Sequence, residues 1–121
     1  MATYSKQLLS TSPSGRPINI TATGTNVQEV HTTPASSSSL DEVWLYATNP
    51  TTSDVMFSLL YGGSGFNNDI LFEGVIEAYA GSVLICPGLI AKGDGTSGFP
   101  IYGNVSIPSG VNVFGYVNRI S

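Results

Sequence analysis

The sequence predicts an all-β domain, an antiparallel β-sandwich or jelly roll of about eight short strands. Three observations carry this expectation. Apolar and polar residues alternate with a period of two along most of the chain, the pattern of strands with one face on a core. Gly and Pro interrupt these runs at short intervals, with 14 Gly and 7 Pro in 121 residues. No segment of helical length carries an i, i+3, i+4 apolar stripe with caps. Many short strands between frequent turns fit a sandwich or jelly roll.

The elements follow in order. Residues 1–16 show little periodicity and contain Pro13 and Gly15, so an N-terminal arm is expected there, mobile unless a partner holds it. The sandwich domain is expected over 17–121. In 17–23, Ile18, Ile20 and Ala22 share one face. In 27–32, Val27 and Val30 stand out of register, which suggests an edge strand or a bulge. Pro34 to Ser39 is expected to be a flexible loop, because four consecutive serines offer no side chain to pack. Residues 42–48 set Val43, Leu45 and Ala47 against Trp44, Tyr46 and Thr48, and 54–61 put Val55, Phe57, Leu59 and Tyr61 on one face. Further strands are expected at 69–78, 82–86, 101–107 and 111–120. The last opposes Val111, Val113, Gly115 and Val117 to Phe114, Tyr116 and Ile120. Turns are expected at Asn49-Pro50, Gly62 to Gly65, Pro87-Gly88, the glycines 93, 95 and 98, and Pro108-Ser109-Gly110.

Composition narrows function more by exclusion than by assignment. Lys, Arg, Asp and Glu make up 10% of the chain, against roughly 25% in an average soluble domain. The polar surface is left to 16 Ser, 11 Thr and 8 Asn. The four cations, Lys6, Arg16, Lys92 and Arg119, are scattered in a chain of net charge −4. They give no footprint for phosphates, so no nucleic-acid partner is expected. No run approaches the roughly 18 apolar residues of a membrane span, and no signal-peptide core follows Lys6. A soluble, unexported protein without a membrane partner is expected.

The motifs are weighed against plainer roles. Cys86 sits alone in the run Val83-Leu84-Ile85-Cys86 with no basic neighbour, and reads as a small buried hydrophobe. Gly93-Asp94-Gly95-Thr96-Ser97-Gly98 matches G-x-G-x-x-G, yet Phe99-Pro100-Ile101 follows where the dinucleotide fingerprint needs a helix. A turn is expected. His31, the sole histidine, could serve a Ser-His-Asp triad, but no G-x-S-x-G elbow marks a nucleophile. A structural or interface role is expected. Glu73 and Glu77, with Tyr46, Tyr61 and Tyr79, could line a sugar-cleaving site, which would need a cleft and one raised carboxyl pKa. Solvated or turn-forming carboxylates are expected instead. No catalytic, cofactor or metal residue is assigned, and an enzyme is not expected. If Val43 and Leu45 face the core, Trp44 and Tyr46 point outward toward a partner; the alternative is a central strand with both faces covered. With Phe114 and Tyr116 they are the candidate interface residues.

Leu40-Asp41-Glu42-Val43-Trp44-Leu45-Tyr46-Ala47-Thr48-Asn49, Leu84-Ile85-Cys86-Pro87-Gly88-Leu89 and Gly115-Tyr116-Val117-Asn118-Arg119-Ile120 together resemble small all-β virion proteins of tailed bacteriophages. The resemblance spans roughly residues 16–120. It implies a structural virion protein made in the host cytoplasm, a capsid decoration (cement) protein on the capsid surface. Its partners would be the major capsid protein and further copies of itself, with a trimer expected from the local threefold positions of an icosahedral shell. The competing reading is a virion-surface adhesin or glycan-binding module. No cofactor is implied.

Overall fold

The computed structural model describes residues 3–121 and contains nine strands and no helix among them. They are Tyr4–Gln7 (β1), Ile18–Ile20 (β2), Gln28–Thr32 (β3), Leu40–Thr48 (β4), Val55–Tyr61 (β5), Ile70–Ile76 (β6), Val83–Ala91 (β7), Pro100–Val105 (β8) and Val111–Ile120 (β9). One sheet has the order β1-β9-β4-β7, with β2 also on β9; the other has the order β3-β8-β5-β6. Every pairing is antiparallel.

The wiring is that of one long hairpin rolled up. The pairs β5–β6, β4–β7, β3–β8 and β2–β9 are nested inside one another, and they fall alternately in the second and first sheet. The pairs β5–β8 and β4–β9 then close each sheet. That is a jelly roll.

The expected alternation places the core. Val43, Leu45 and Ala47 of β4 and Val111, Val113 and Val117 of β9 meet Val55, Phe57 and Leu59 of β5 and Ile101 and Val105 of β8. Gly103 leaves room between the layers, since a Cβ there would lie 3.2 Å from Ile20 and 3.5 Å from Phe57. The out-of-register valines of 27–32 have their cause in a bulge between Glu29 and His31, which turns Val30 and His31 both inward. Asn49 makes the β4–β5 turn. Its amide donates to the carbonyls of Ser53 (2.8 Å) and Ile76 (2.9 Å), and its oxygen accepts from the Thr51 N–H and hydroxyl.

Three expectations are corrected. Residues 3–16 lie on the sandwich and do not stand apart from it: β1 pairs with β9 from Tyr4↔Ile120 to Gln7↔Val117, and Leu9 enters the core. The two residues before them, Met1 and Ala2, lie outside the described residues. Pro87-Gly88 is no turn. β7 runs through it, with a register shift between Val43 and Trp44 that leaves Gly88 as the extra residue at φ +79. A proline without N–H is tolerated there because β7 is an edge strand. The loop from Pro34 is gripped at its start: Gly95 N–H donates to the Ala35 carbonyl (2.7 Å), and Gly93 packs on the same backbone.

Candidate functional site

The outer face of the first sheet brings the four candidate residues together. Register sets Trp44 opposite Tyr116 and Tyr46 opposite Phe114. The Tyr46 and Phe114 rings stack with centroids 5.6 Å apart and an interplanar angle of 19°. β4 and β9 are the two central strands, so their outward residues form rows that β1 and β7 extend.

Trp44 is held from two sides. Its indole N–H donates to Glu42 Oε1 (2.8 Å), and its ring lies against Gly88, where a Cβ would come within 3.1 Å. The bulge in β7 is therefore part of the face, because the indole needs the space that Gly88 leaves. Asn118 also donates to Glu42 Oε1 (3.0 Å). These bonds, Trp44 first and Asn118 second, hold the Glu42 carboxyl below its ordinary pKa range. On the other side of β9, Lys6 places its ammonium 5.0 Å from the centre of the Tyr116 ring, a cation–π contact. An open depression of about 340 Å³ lies between these groups, lined by Tyr4, Ser5, Lys6, Glu42, Asn118 and Ile120. Leu84 and Ile90 of β7 are exposed at the margin.

A second cluster is buried. His31 of β3, Asp41 of β4 and Arg119 of β9 join the two sheets at one end of the sandwich. Asp41 is fully buried and accepts from His31 Nε2 (2.8 Å), Arg119 Nε (2.7 Å) and Arg119 Nη2 (3.1 Å). Burial acts to raise the Asp41 pKa, but the hydrogen bonds from His31 and Arg119 and the Arg119 charge outweigh it, and the carboxyl sits below the ordinary range. The same Asp41 bond pushes the Arg119 pKa up. His31 Nδ1 accepts from the Ser10 backbone N–H (3.0 Å), which fixes the ring as the Nε2–H tautomer toward Asp41.

The resulting Ser10–His31–Asp41 line is not a nucleophilic triad. Ser10 offers its backbone N–H to the ring, while its hydroxyl accepts from Thr32 N–H at 2.8 Å. His31 is 1% exposed, so substrate has no path to it. The cluster instead fastens the N-terminal segment: Thr11 Oγ1 donates to the Val30 carbonyl (2.5 Å) next to it.

The other sequence candidates are dispersed. Glu73 stands on the outer face of the second sheet beside Ser58, Tyr46 is on the first sheet, and Tyr61 packs edge-on to Phe99. They form no common cleft. Gly93 to Gly98 is a turn in which Asp94 Oδ1 accepts from Thr96 and Ser97 N–H, with β8 following directly. Cys86 is buried, and burial pushes its thiol pKa up. Among the described residues, no three His, Cys, Asp or Glu side chains gather where they could hold a metal ion.

Sequence reasoning missed Lys6, Glu42 and Asn118 as part of the face. The Glu42-x-Trp44 spacing was the available signal, because residues two apart on a strand share a side. Comparison with protein-family models, with curated proteins and with solved structures gives no match.

Proposed function

We propose that this chain is a structural virion protein of a tailed phage, a capsid decoration protein that binds the outer shell and ties neighbouring subunits together. The observation that carries this is the aromatic face: Trp44, Tyr46, Phe114 and Tyr116 held in register on an open sheet surface. Aromatic side chains fixed in place lose little freedom on docking, which suits an anchor for another protein surface. The chain's low charge and the resemblance of its three segments to small virion proteins support the same reading. Jelly rolls recur in viral capsid proteins, although the architecture also hosts other functions.

The depression between Lys6, Glu42, Asn118 and Tyr4 favours a second reading, a glycan-binding module on the virion surface. Such a site would combine ring stacking with hydroxyl recognition by the free Glu42 and Asn118 oxygens.

Quantitative mass spectrometry and a cryo-EM map of the purified particle separate the two. Hundreds of copies on the shell are expected for a decoration protein. A few to tens of copies at the tail or fibres would replace that reading with the adhesin. Absence of the chain from the particle would end both.

A further inference from the structure

We infer that the outer face of the first sheet is self-complementary and seats a second copy of this chain about a two-fold axis running along β9. The inference rests on the reading of this face as a docking surface and names its occupant in free protein; on a particle the shell would compete for the same face. It is tested on free protein alone, so its failure is distinguishable from failure of the virion assignment.

The charges on the face carry the argument. β1 and β4 flank β9 on either side, each at about 4.8 Å. In one row, register aligns Lys6 on β1, Asn118 on β9 and Glu42 on β4. Among the described residues, Lys6 and Glu42 are the only charged side chains that the strands present on this side. Among the described residues neither has an ion-pair partner; the ion pair present joins Arg119 to Asp41. Glu42 spends Oε1 on Trp44 and Asn118, which leaves Oε2 free.

A half-turn about an axis along β9 exchanges the β1 and β4 columns of the two copies. Lys6 of each copy then faces Glu42 of the other, and the contact is made twice. Asn118, Tyr116 and Phe114 lie on the axis and meet their own counterparts. Trp44 comes to lie over the end of β1 in the second copy, where Leu8 is 50% exposed. Among the described strand side chains, no like charges oppose each other on the face. The strands of the two copies run in the same direction, so the sheets pack in the aligned manner of a sandwich.

Symmetry and area set what to expect. A patch that meets itself closes as a dimer, whereas the trimer expected from the sequence would need two different patches in head-to-tail contact. The half-turn overlaps three strand columns, β1 with β2, β9 and β4, and leaves β7 outside; at about 4.8 Å spacing, with nine residues at about 3.3 Å rise, that is a face of about 430 Å². A standard interface covers about 800 Å² on each partner. The pairing is therefore weak and visible at micromolar to millimolar concentration.

Sedimentation velocity from about 1 µM to about 1 mM tests this range. A monomer–dimer equilibrium is expected. Lys6→Glu, on an exposed strand, sets Glu against Glu42 twice and weakens dimerisation by about tenfold or more. Glu42→Lys does the same by setting Lys against Lys6, and the double exchange recovers affinity that each single variant loses. A monomer throughout, a trimer, a dimer indifferent to Lys6→Glu, or a double exchange that recovers nothing would each overturn the inference.

Discussion

Replacing Asp41 with Asn removes one negative charge from a fully buried position while keeping its shape. The carboxylate accepts three hydrogen bonds, at 2.8 Å from His31 and at 2.7 and 3.1 Å from Arg119. An amide can accept with only one of its two terminal atoms. Its NH2 group must then face the donor of His31 or Arg119, and one charge-assisted bond is lost outright. Bonds to charged groups contribute about 1.5–3 kcal/mol each, so Asp41→Asn is expected to cost about 2–3 kcal/mol. Asp41→Ala leaves the buried His31 N–H with no acceptor and is expected to cost about 3–5 kcal/mol, the range for breaking a buried ion pair from one side. Either is a large part of the 5–15 kcal/mol that holds a typical domain folded.

The pH dependence follows from the same carboxyl. Its folded pKa lies below its unfolded value, near 3.9 for an ordinary Asp. The folded state thus gains stability from it above that value, and the gain is lost as pH falls through the folded pKa. Urea unfolding followed by Trp44 fluorescence, repeated from pH 7 downward, measures both effects. The wild type should lose stability below about pH 4, and Asp41→Asn should lack that part of the acid limb. A variant within about 0.5 kcal/mol of wild type at pH 7, or one with an unchanged acid limb, would refute the reasoning.

Other substitutions probe the remaining features. Gly88→Ala must adopt φ +79 and crowd the indole of Trp44, so it should destabilise by about 1–3 kcal/mol and shift the Trp44 emission spectrum. Leu9→Ala should cost about 2–4 kcal/mol in chemical unfolding, because Leu9 is in the core; an effect near zero would restore a free arm. Asn49→Ala leaves the Ile76 and Ser53 carbonyls unpaired, one of them at a buried bond, and should cost about 1–3 kcal/mol by the same measurement.

The strands were legible because each central one must alternate to face a core: β4 does so along its whole length, and β5 and β9 do so over part of theirs. The aromatic face was legible for the same reason: once Val43 and Leu45 are inward, Trp44 and Tyr46 have only one side left. β1 was not legible, since Tyr4-Ser5-Lys6-Gln7 lies at a sheet margin where little is buried and no alternation is required. Pro87-Gly88 misled because the residues of a turn are also those of an edge-strand bulge; only the pairing partner distinguishes them. The buried cluster was hidden by distance along the chain, as Arg119 reaches Asp41 across 78 positions. The depression was missed because Lys6 was assigned to an arm and not to a sheet.

The nested wiring has a kinetic consequence. β5 and β6 are consecutive, separated by residues 62–69, and each further pair, β4–β7, β3–β8 and β2–β9, adds strands outside the one already formed. Closing a loop costs entropy that grows only with the logarithm of its length, so each step from the inside outward is a small increment on the last. Starting from β2–β9 would close almost the whole chain at once, with no earlier contact to offset it. The cheapest route therefore winds outward from the β5–β6 hairpin, and slow folding is expected, as in other chains dominated by distant pairings. The aromatic rows of β4 and β9 meet only in the late steps, which keeps the face from forming before the rest of the barrel can support it.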